Sequence, residues 1–445
     1  MVLQPVPPPL ERRPTPPPTP LPLPPVVGEV ESFLQTLLGD LVLDGWATPA
    51  QRGRPPILPA LALWGGLLVC VLRGWSSQLD LWRLLSERRL WAYPRFALSD
   101  QAVYHRLARD GTAPLERLFT ALSMVLASRL APYAQHSLAP FAHGIYALDT
   151  TTLDPVARRL ADLKEQPARA RLPGKVGGLF DVRRQQWTRI VTLPDADAND
   201  KESARALVVG LPPFSLVLFD LGYFAFQWFD DLTAAQLWWV SRLRAKTSYR
   251  LEHVFYQDGE TLDALVWLGA YRADRGRHVV RLVQFRQGNQ LRQYITNLRD
   301  PETLPMALIA TLYARRWDVE MAAQLIKQHL GLRLWWSSKD TVVLQQVWAT
   351  LIIAQIVQAL RVEIAGRAGV DLFEVSLPLL VKWLPRLAEN GDDPVTVFVT
   401  DGVRLGFLRP SRRVPITAPH IPPEAYAPAP VGLAWTRAPR YAGKD

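Results

Sequence analysis

The run Ser215 to Phe219, SLVLF, ending in Asp220, constrains the fold more than any other stretch of the chain. It shows no polar alternation, which suits a strand covered on both faces, and such strands belong to sheets with helices on either side. The surrounding pattern agrees. GIYAL runs straight into Asp149, and Val176 to Val182 and Trp187 to Leu193 read as further strands. A helix begins near Asp200 and ends before Pro212 and Pro213; another, around Phe226 to Gln236, leads into the strand Leu237 to Leu243. From Lys246 to about Leu298 the alternation of strand and helix stops. Gln287-Gly288-Asn289 reads there as a hairpin turn between Val279 to Phe285 and Leu291 to Ile295. The fold expected is α/β, with an all-β insertion and helical regions on both flanks.

Those flanks bound the architecture. Residues 1–27 hold 12 of the 39 prolines and read as a polyproline-type or disordered leader. Helical periodicity dominates residues 28–140, most clearly at Glu29 to Leu43, Leu58 to Leu72 and Gln78 to Glu87. After the basic, aromatic stretch RRLWAYPRF, Ser99 is expected to cap a helix whose polar side carries Tyr104, His105, Arg106 and Arg109. Such a pair of helices can enter a DNA groove or be an ordinary helical pair. The catalytic unit is then expected over 141–245 and 301–345, the β insertion over 246–300, and a helical region over 346–400. The stretch 401–445, with 8 prolines from Arg404 onward, is expected to be a poorly ordered tail.

A net charge of +10 and a pI near 9.8 call for an anionic partner, of which nucleic acid is the commonest. Only 8 of the 51 cations are Lys, and arginine suits bidentate phosphate contacts. The one cysteine, Cys70, excludes an internal disulfide and a Cys-based zinc site, so a reducing cytoplasm is expected. No basic region followed by an apolar core marks a signal peptide. The apolar run Ile57 to Leu72 is about 16 residues long, short of the roughly 20 that cross a bilayer, and no membrane partner is expected.

In Leu312 to Leu330, LYARRWDVEMAAQLIKQHL, Tyr313, Arg316, Glu320 and Lys327 fall within about 60° of arc on an ideal helix. Leu312, Val319, Ala323, Ile326 and Leu330 form an apolar stripe beside them that can dock the helix on a core. By itself a cation four residues from a carboxylate is usually a solvated pair. Asp149 and Asp220 stand at strand ends, however, and carboxylates so placed can converge with one on an overlying helix. Oxygen ligands of this kind suit Mg²⁺ or Mn²⁺, and two such ions support in-line phosphoryl displacement.

The spacing Tyr313, Arg316, Glu320, Lys327, Y-x2-R-x3-E-x6-K, resembles the signature of the IS4 family of bacterial DDE transposases. ALDTTTLD around Asp149 and LVLFDLGYFAFQWFDDL around Asp220 are similar to that family's first and second catalytic motifs, and GKVGGLFDVRRQQWTRIVTL resembles paired strands of its ribonuclease H-like core. The resemblance covers roughly residues 75–390. It implies a ribonuclease H-like mixed sheet in which Asp149, Asp220 and Glu320 bind two Mg²⁺ or Mn²⁺ ions. It implies that Tyr313, Arg316 and Lys327, with Arg242, hold phosphates of double-stranded element ends, and that Trp267 stacks on a flipped base, although the apolar neighbours of Trp267 suit core packing as well. The activity implied is cleavage of insertion-sequence ends and joining to target DNA, by a homodimer at the bacterial nucleoid. A transposase-derived DNA-binding protein without catalysis, or a ribonuclease H-like nuclease, are the alternatives. Neither proline-rich terminus matches the family's pattern.

Overall fold

The computed structural model describes residues 57–441, apart from 76, 89, 91–92, 153–173, 194–199, 271–273, 333–335 and 338, together with Leu34. The expected leader and nearly all of the helix Glu29 to Leu43 lie outside the described residues. So do Asp154 at the end of the ALDTTTLD string and parts of RRLWAYPRF.

Among the described residues nine strands form one continuous sheet. Three of them, β1 (Ile145–Thr152), β2 (Lys175–Asp181) and β3 (Gln186–Leu193), make an antiparallel meander. On the other side of β1 lie β4 (Leu216–Leu218) and β5 (Trp238–Arg242), parallel to it and to each other. The order β3-β2-β1-β4-β5 makes a mixed sheet, as expected. The expected insertion supplies β6 (Tyr249–Asp258), β7 (Thr261–Leu268), β8 (Val279–Gln287) and β9 (Gln290–Thr296). These do not stand apart: β9 pairs antiparallel with β5 and carries the sheet on to β6. The two-residue turn at Gly288 and Asn289 closes the β8–β9 hairpin, with Gly288 at φ 55, a conformation glycine takes without steric penalty.

The central strands read as apolar because both faces are covered. Ile145, Ala147, Leu216, Leu218 and Val240 face one core, whereas Leu148, Val217, Phe219 and Trp239 face another. The second core is closed by α5 (Asp200–Val208) and α6 (Phe226–Ala234). The first is closed by α1 (Ala60–Leu72), α2 (Gln78–Ser86), α3 (Asp100–Asp110) and α4 (Ala113–Arg129) from the N-terminal side. From the C-terminal side come α7 (Met306–Arg315), α8 (Trp317–Gln324), α9 (Asp340–Ala368), α10 (Leu377–Asn390) and α11 (Pro394–Asp401). Ser99 caps α3 as expected, its hydroxyl accepting from the Ala102 N–H at 3.2 Å. By length and composition α9 could cross a membrane, but 94% of its apolar stretch is covered by the rest of the protein, as befits a core helix.

Two expectations need correction. The stripe Leu312 to Leu330 is not one regular helix: it is interrupted at Arg316 and ends in a π turn over Leu325–His329. The proline-rich end is not a loose tail up to residue 441. Proline removes donors but leaves carbonyls free, and the few donors present find partners: Ala427 N–H bonds the Phe255 carbonyl at 2.7 Å, and Arg275 and Arg440 form a backbone bridge. The Tyr441 hydroxyl donates to Asp230, and Arg437 bonds the Gly276 carbonyl at 2.9 Å. The segment is a strap along the inserted strands.

A buried ion pair ties those strands to the chain entering α7. Arg281 on β8 bonds Asp263 on β7 through Nε at 2.6 Å and Nη2 at 2.5 Å, and its Nη1 reaches the Leu304 carbonyl at 2.7 Å; both side chains are fully buried. Asp263→Ala is expected to leave an uncompensated buried guanidinium and to lower stability by about 3–5 kcal/mol, measurable by denaturant unfolding. A loss below about 1 kcal/mol would show that the pair does not anchor the insertion.

Candidate active site

Strand register brings the first two carboxylates together. Ala147 pairs with Leu218 and Leu218 with Val240, so two residues further along stand Asp149, Asp220 and Arg242 at one level across three parallel strands. Side chains alternate along a strand, and each of the three has the parity of its neighbours Ala147, Leu218 and Val240, which face the helix-covered core containing α7 and α8. Helix α8 packs on β1 and α7 on β5, so Glu320 arrives over the same ends. Asp220 also accepts from Gly222 N–H at 2.8 Å, capping the turn Leu221–Tyr223 that ends the strand.

The electrostatics report the convergence. Asp149 is pushed up to about 7 from 3.8, first by burial, then by the negative charge of Glu320 and further by Asp220; a bond from the Thr150 N–H and the charge of Lys327 oppose the rise. Lys327 therefore reaches the same site, despite the π turn beneath it. Among the described residues no three acidic, His or Cys side chains stand close enough to clasp one ion as placed. Glu320 Oε1 is held 2.6 Å from Arg316 Nη1. The donor set still suits a hard divalent cation: the three carboxylates are half-buried, and the charges of Glu320 and Asp220 raise the proton affinity of Asp149, which marks a place short of positive charge.

The remaining expected contacts divide. Arg242 is exposed at the end of β5 and faces Tyr313 and Tyr294. Tyr313 is buried, its ring 5.1 Å from that of Tyr294 and its hydroxyl pushed up to about 12, chiefly by burial; it hydrogen-bonds Arg316. It therefore supports Arg316 rather than offering its own surface. Trp267 is brought nowhere near the carboxylates. It is 3% exposed on β7, donates to Glu252 at 2.9 Å, and lies under the Arg437 guanidinium at 4.7 Å from its ring. It packs with Phe255, Leu265 and Val279 in a small core that the strap completes with Leu433 and Tyr426.

Sequence reasoning missed the contacts that hold the helix bearing Glu320. Asp318, two residues before Glu320 and turned about 200° from it on the helix, is fully buried and meets Arg315, Gln185 and Arg413. An acid on the core-facing side of a docked helix is the signal that could have revealed it, since such a charge requires partners. Gly178, opposite Asp149 on β2, was also missed: a Cβ there would lie 2.3 Å from Trp187, whose ring lines the apolar cleft beside Asp149 with Ile190, Ala323 and Ile326.

Residues 169–356 match the family described as "Transposase DDE domain", a stretch that includes Asp220 and Glu320 and begins after Asp149. The chain contains a region similar to that domain. One similar protein is "Putative transposase y4zB" of Sinorhizobium fredii (strain NBRC 101917 / NGR234), 26% identical over 171 residues, which are 37% of this chain. The match covers about half, 47%, of the length of that relative. A similar solved structure is the piggyBac transposase synaptic complex with hairpin DNA, seen by cryo-electron microscopy, at 10% identity and a TM-score of 0.40 over 89% of this chain and 85% of that one.

The raised proton affinity of Asp149 has a measurable consequence. Its folded-state value lies above its ordinary one, so the folded protein holds this proton more tightly, and the associated stability is present below about pH 4 and lost as pH rises to about 7. Asp149→Asn removes the penalty. Thermal unfolding without divalent cations is expected to show the variant stabilised at pH 8, by about 4 kcal/mol at most, and nearly unchanged at pH 4. Equal effects at both pH values would mean that burial and the neighbouring carboxylates do not raise the proton affinity of Asp149.

Proposed function

We propose that this chain is a transposase of the IS4 kind that cuts the ends of an insertion sequence and joins them to target DNA. The observation that carries the reading is the strand register that sets Asp149 level with Asp220 beneath the helix bearing Glu320. When bound at these three carboxylates, two Mg²⁺ or Mn²⁺ ions would supply activation of the attacking oxygen and stabilisation of the leaving one. In the first step a water oxygen bonds to phosphorus at the element end and the 3′ oxygen leaves as a hydroxyl. In the second that 3′ hydroxyl attacks a target phosphodiester, whose own 3′ oxygen departs. Lys327 and the exposed Arg242 are suited to meet the phosphates flanking the site, the lysine as a point charge and the arginine as a fork. Arg316, backed by Tyr313, orients Glu320 and can turn to phosphate when Glu320 takes up its other role.

Double-stranded element ends and target DNA are the partners this reading requires, within a homodimer in the bacterial cytoplasm. The basic balance of the chain favours such partners. A transposase-derived DNA-binding protein without catalysis is favoured by one observation, the Arg316–Glu320 ion pair, which occupies a carboxylate that chemistry would need.

The two readings separate in one experiment on duplexes carrying the repeats that flank the gene. Asp149→Ala, Asp220→Ala and Glu320→Ala are each expected to lower Mg²⁺-dependent cleavage by about a thousandfold or more, about 4 kcal/mol of transition-state stabilisation, with end binding within about threefold of wild type. Wild-type protein that binds these duplexes without cutting them in either metal would establish the non-catalytic reading instead.

Loss of a phosphate contact should look different. Lys327→Ala is expected to slow strand transfer about tenfold or more, to reduce the salt slope of binding by about one unit, and to leave the melting temperature nearly unchanged. Joining at the wild-type rate would remove Lys327 from the site.

A further inference from the structure

The break between α7 and α8 falls at Arg316, the residue whose guanidinium holds Glu320. A joint at that place needs fixing, because a small rotation of the first turn of α8 about it would swing Glu320 away from Asp149 and Asp220. Two helical turns that do not share a continuous hydrogen-bond ladder depend on side chains for this, and the Arg315–Asp318 pair within the helices needs a second tie to fix the angle.

The strap supplies one from nearly a hundred residues away. Arg413 Nη2 donates to the Ala314 carbonyl in the last turn of α7, while Arg413 Nη1 lies 2.9 Å from Asp318 Oδ1 in the first turn of α8, an ion pair off the axis of a good hydrogen bond. One rigid guanidinium thus spans the joint. Asp318 is 1% exposed, and its Oδ2 accepts from Arg315 Nε at 2.6 Å and from Gln185 Nε2, on the β2–β3 turn, at 2.9 Å. Arg413 stacks on the Phe373 ring at 4.3 Å, and two residues further along the strap the Pro415 carbonyl accepts from Gln287 Nε2 at 3.1 Å. A buried ion pair is weak evidence for stability, since apolar residues of similar volume often serve as well. What this one provides is a fixed angle.

We propose that Arg413 is a positioning residue for Glu320, acting through Asp318 across the α7–α8 joint, so that the C-terminal strap is part of the machinery that sets the site. The inference rests on the reading that Glu320 serves chemistry, and it concerns a residue beyond both the Tyr-Arg-Glu-Lys spacing and the stretch matched by the domain family.

The test uses the full chain with Arg413→Ala, Arg413→Lys and, as a control for lost strap charge, Arg412→Ala, whose side chain is exposed. Hydrogen exchange of the amides of 317–324 is read by mass spectrometry without DNA or metal, and single-turnover cleavage of end duplexes with Mg²⁺ is read separately. Arg413→Ala is expected to speed exchange in α8 about tenfold or more and to slow cleavage about tenfold or more, with end affinity within about threefold of wild type. Arg413→Lys should recover part of both, since the ammonium reaches Asp318 but cannot span the joint as a fork, and Arg412→Ala should change neither. Unchanged exchange in Arg413→Ala overturns the proposal, as does faster exchange with wild-type cleavage. If the wild-type chain cuts nothing in Mg²⁺ or Mn²⁺, the transposase reading fails on its own, and the exchange arm still decides whether Arg413 holds the joint. Should Arg413→Ala not fold, the Arg413→Lys comparison carries the same decision.

Discussion

The parallel register of β1, β4 and β5 is the constraint on which the rest of the molecule depends. Parallel strands end at the same edge of a sheet, and backbone hydrogen bonds fix which residues stand level there. Here that pairing sets Asp149, Asp220 and Arg242 side by side, on the face that α7 and α8 cover. A slip of one residue in any pair would turn its carboxylate to the opposite core, among Phe219, Trp228 and Trp239, where no charge could be accommodated. The hydrophobic pattern that buries both faces of the sheet therefore also aims the site.

Helices over that edge turn a row of strand ends into a pocket with its own electrostatics. Burial and the neighbouring carboxylates push Asp149 up to about 7, while Lys327 and Arg316 approach from the helix side. Such a place is at odds with itself until positive charge enters it. That is the physical sense in which a fold can store a preference for a divalent cation or for a phosphate accompanied by one.

The inserted strands and the proline-rich end also lock the frame. Joining β9 to β5 makes the insertion an extension of the sheet, and the Arg281–Asp263 pair ties it to the chain leading into α7. The strap crosses both, contacting Phe255, Gly276 and Asp230 on one side and Asp318 on the other. The helix that bears Glu320 is thereby braced from two directions.

Sequence by itself determined the elements whose periodicity is local: the buried strand ending in Asp220, the Ser99-capped helix, the Gly288 hairpin and the order of acids along the chain. These are legible because alternation, capping and turn chemistry act within a few residues. Strand ends and a helix stripe also singled out Asp149, Asp220 and Glu320, and the resemblance to a transposase family added the roles expected of them, which no local rule could supply. Tertiary structure alone decided how the pieces meet. The helix break at Arg316 and the π turn over Leu325–His329 are visible only in the folded chain, where α8 packs against β1. Trp267 became core because a strap 170 residues later in the chain lies across it, and a stretch that composition marks as loose is held because its few donors find distant carbonyls. Contacts at such separations leave no periodic trace in a single sequence, so Arg413 and Asp318 could be recognised as partners only once the chain was folded.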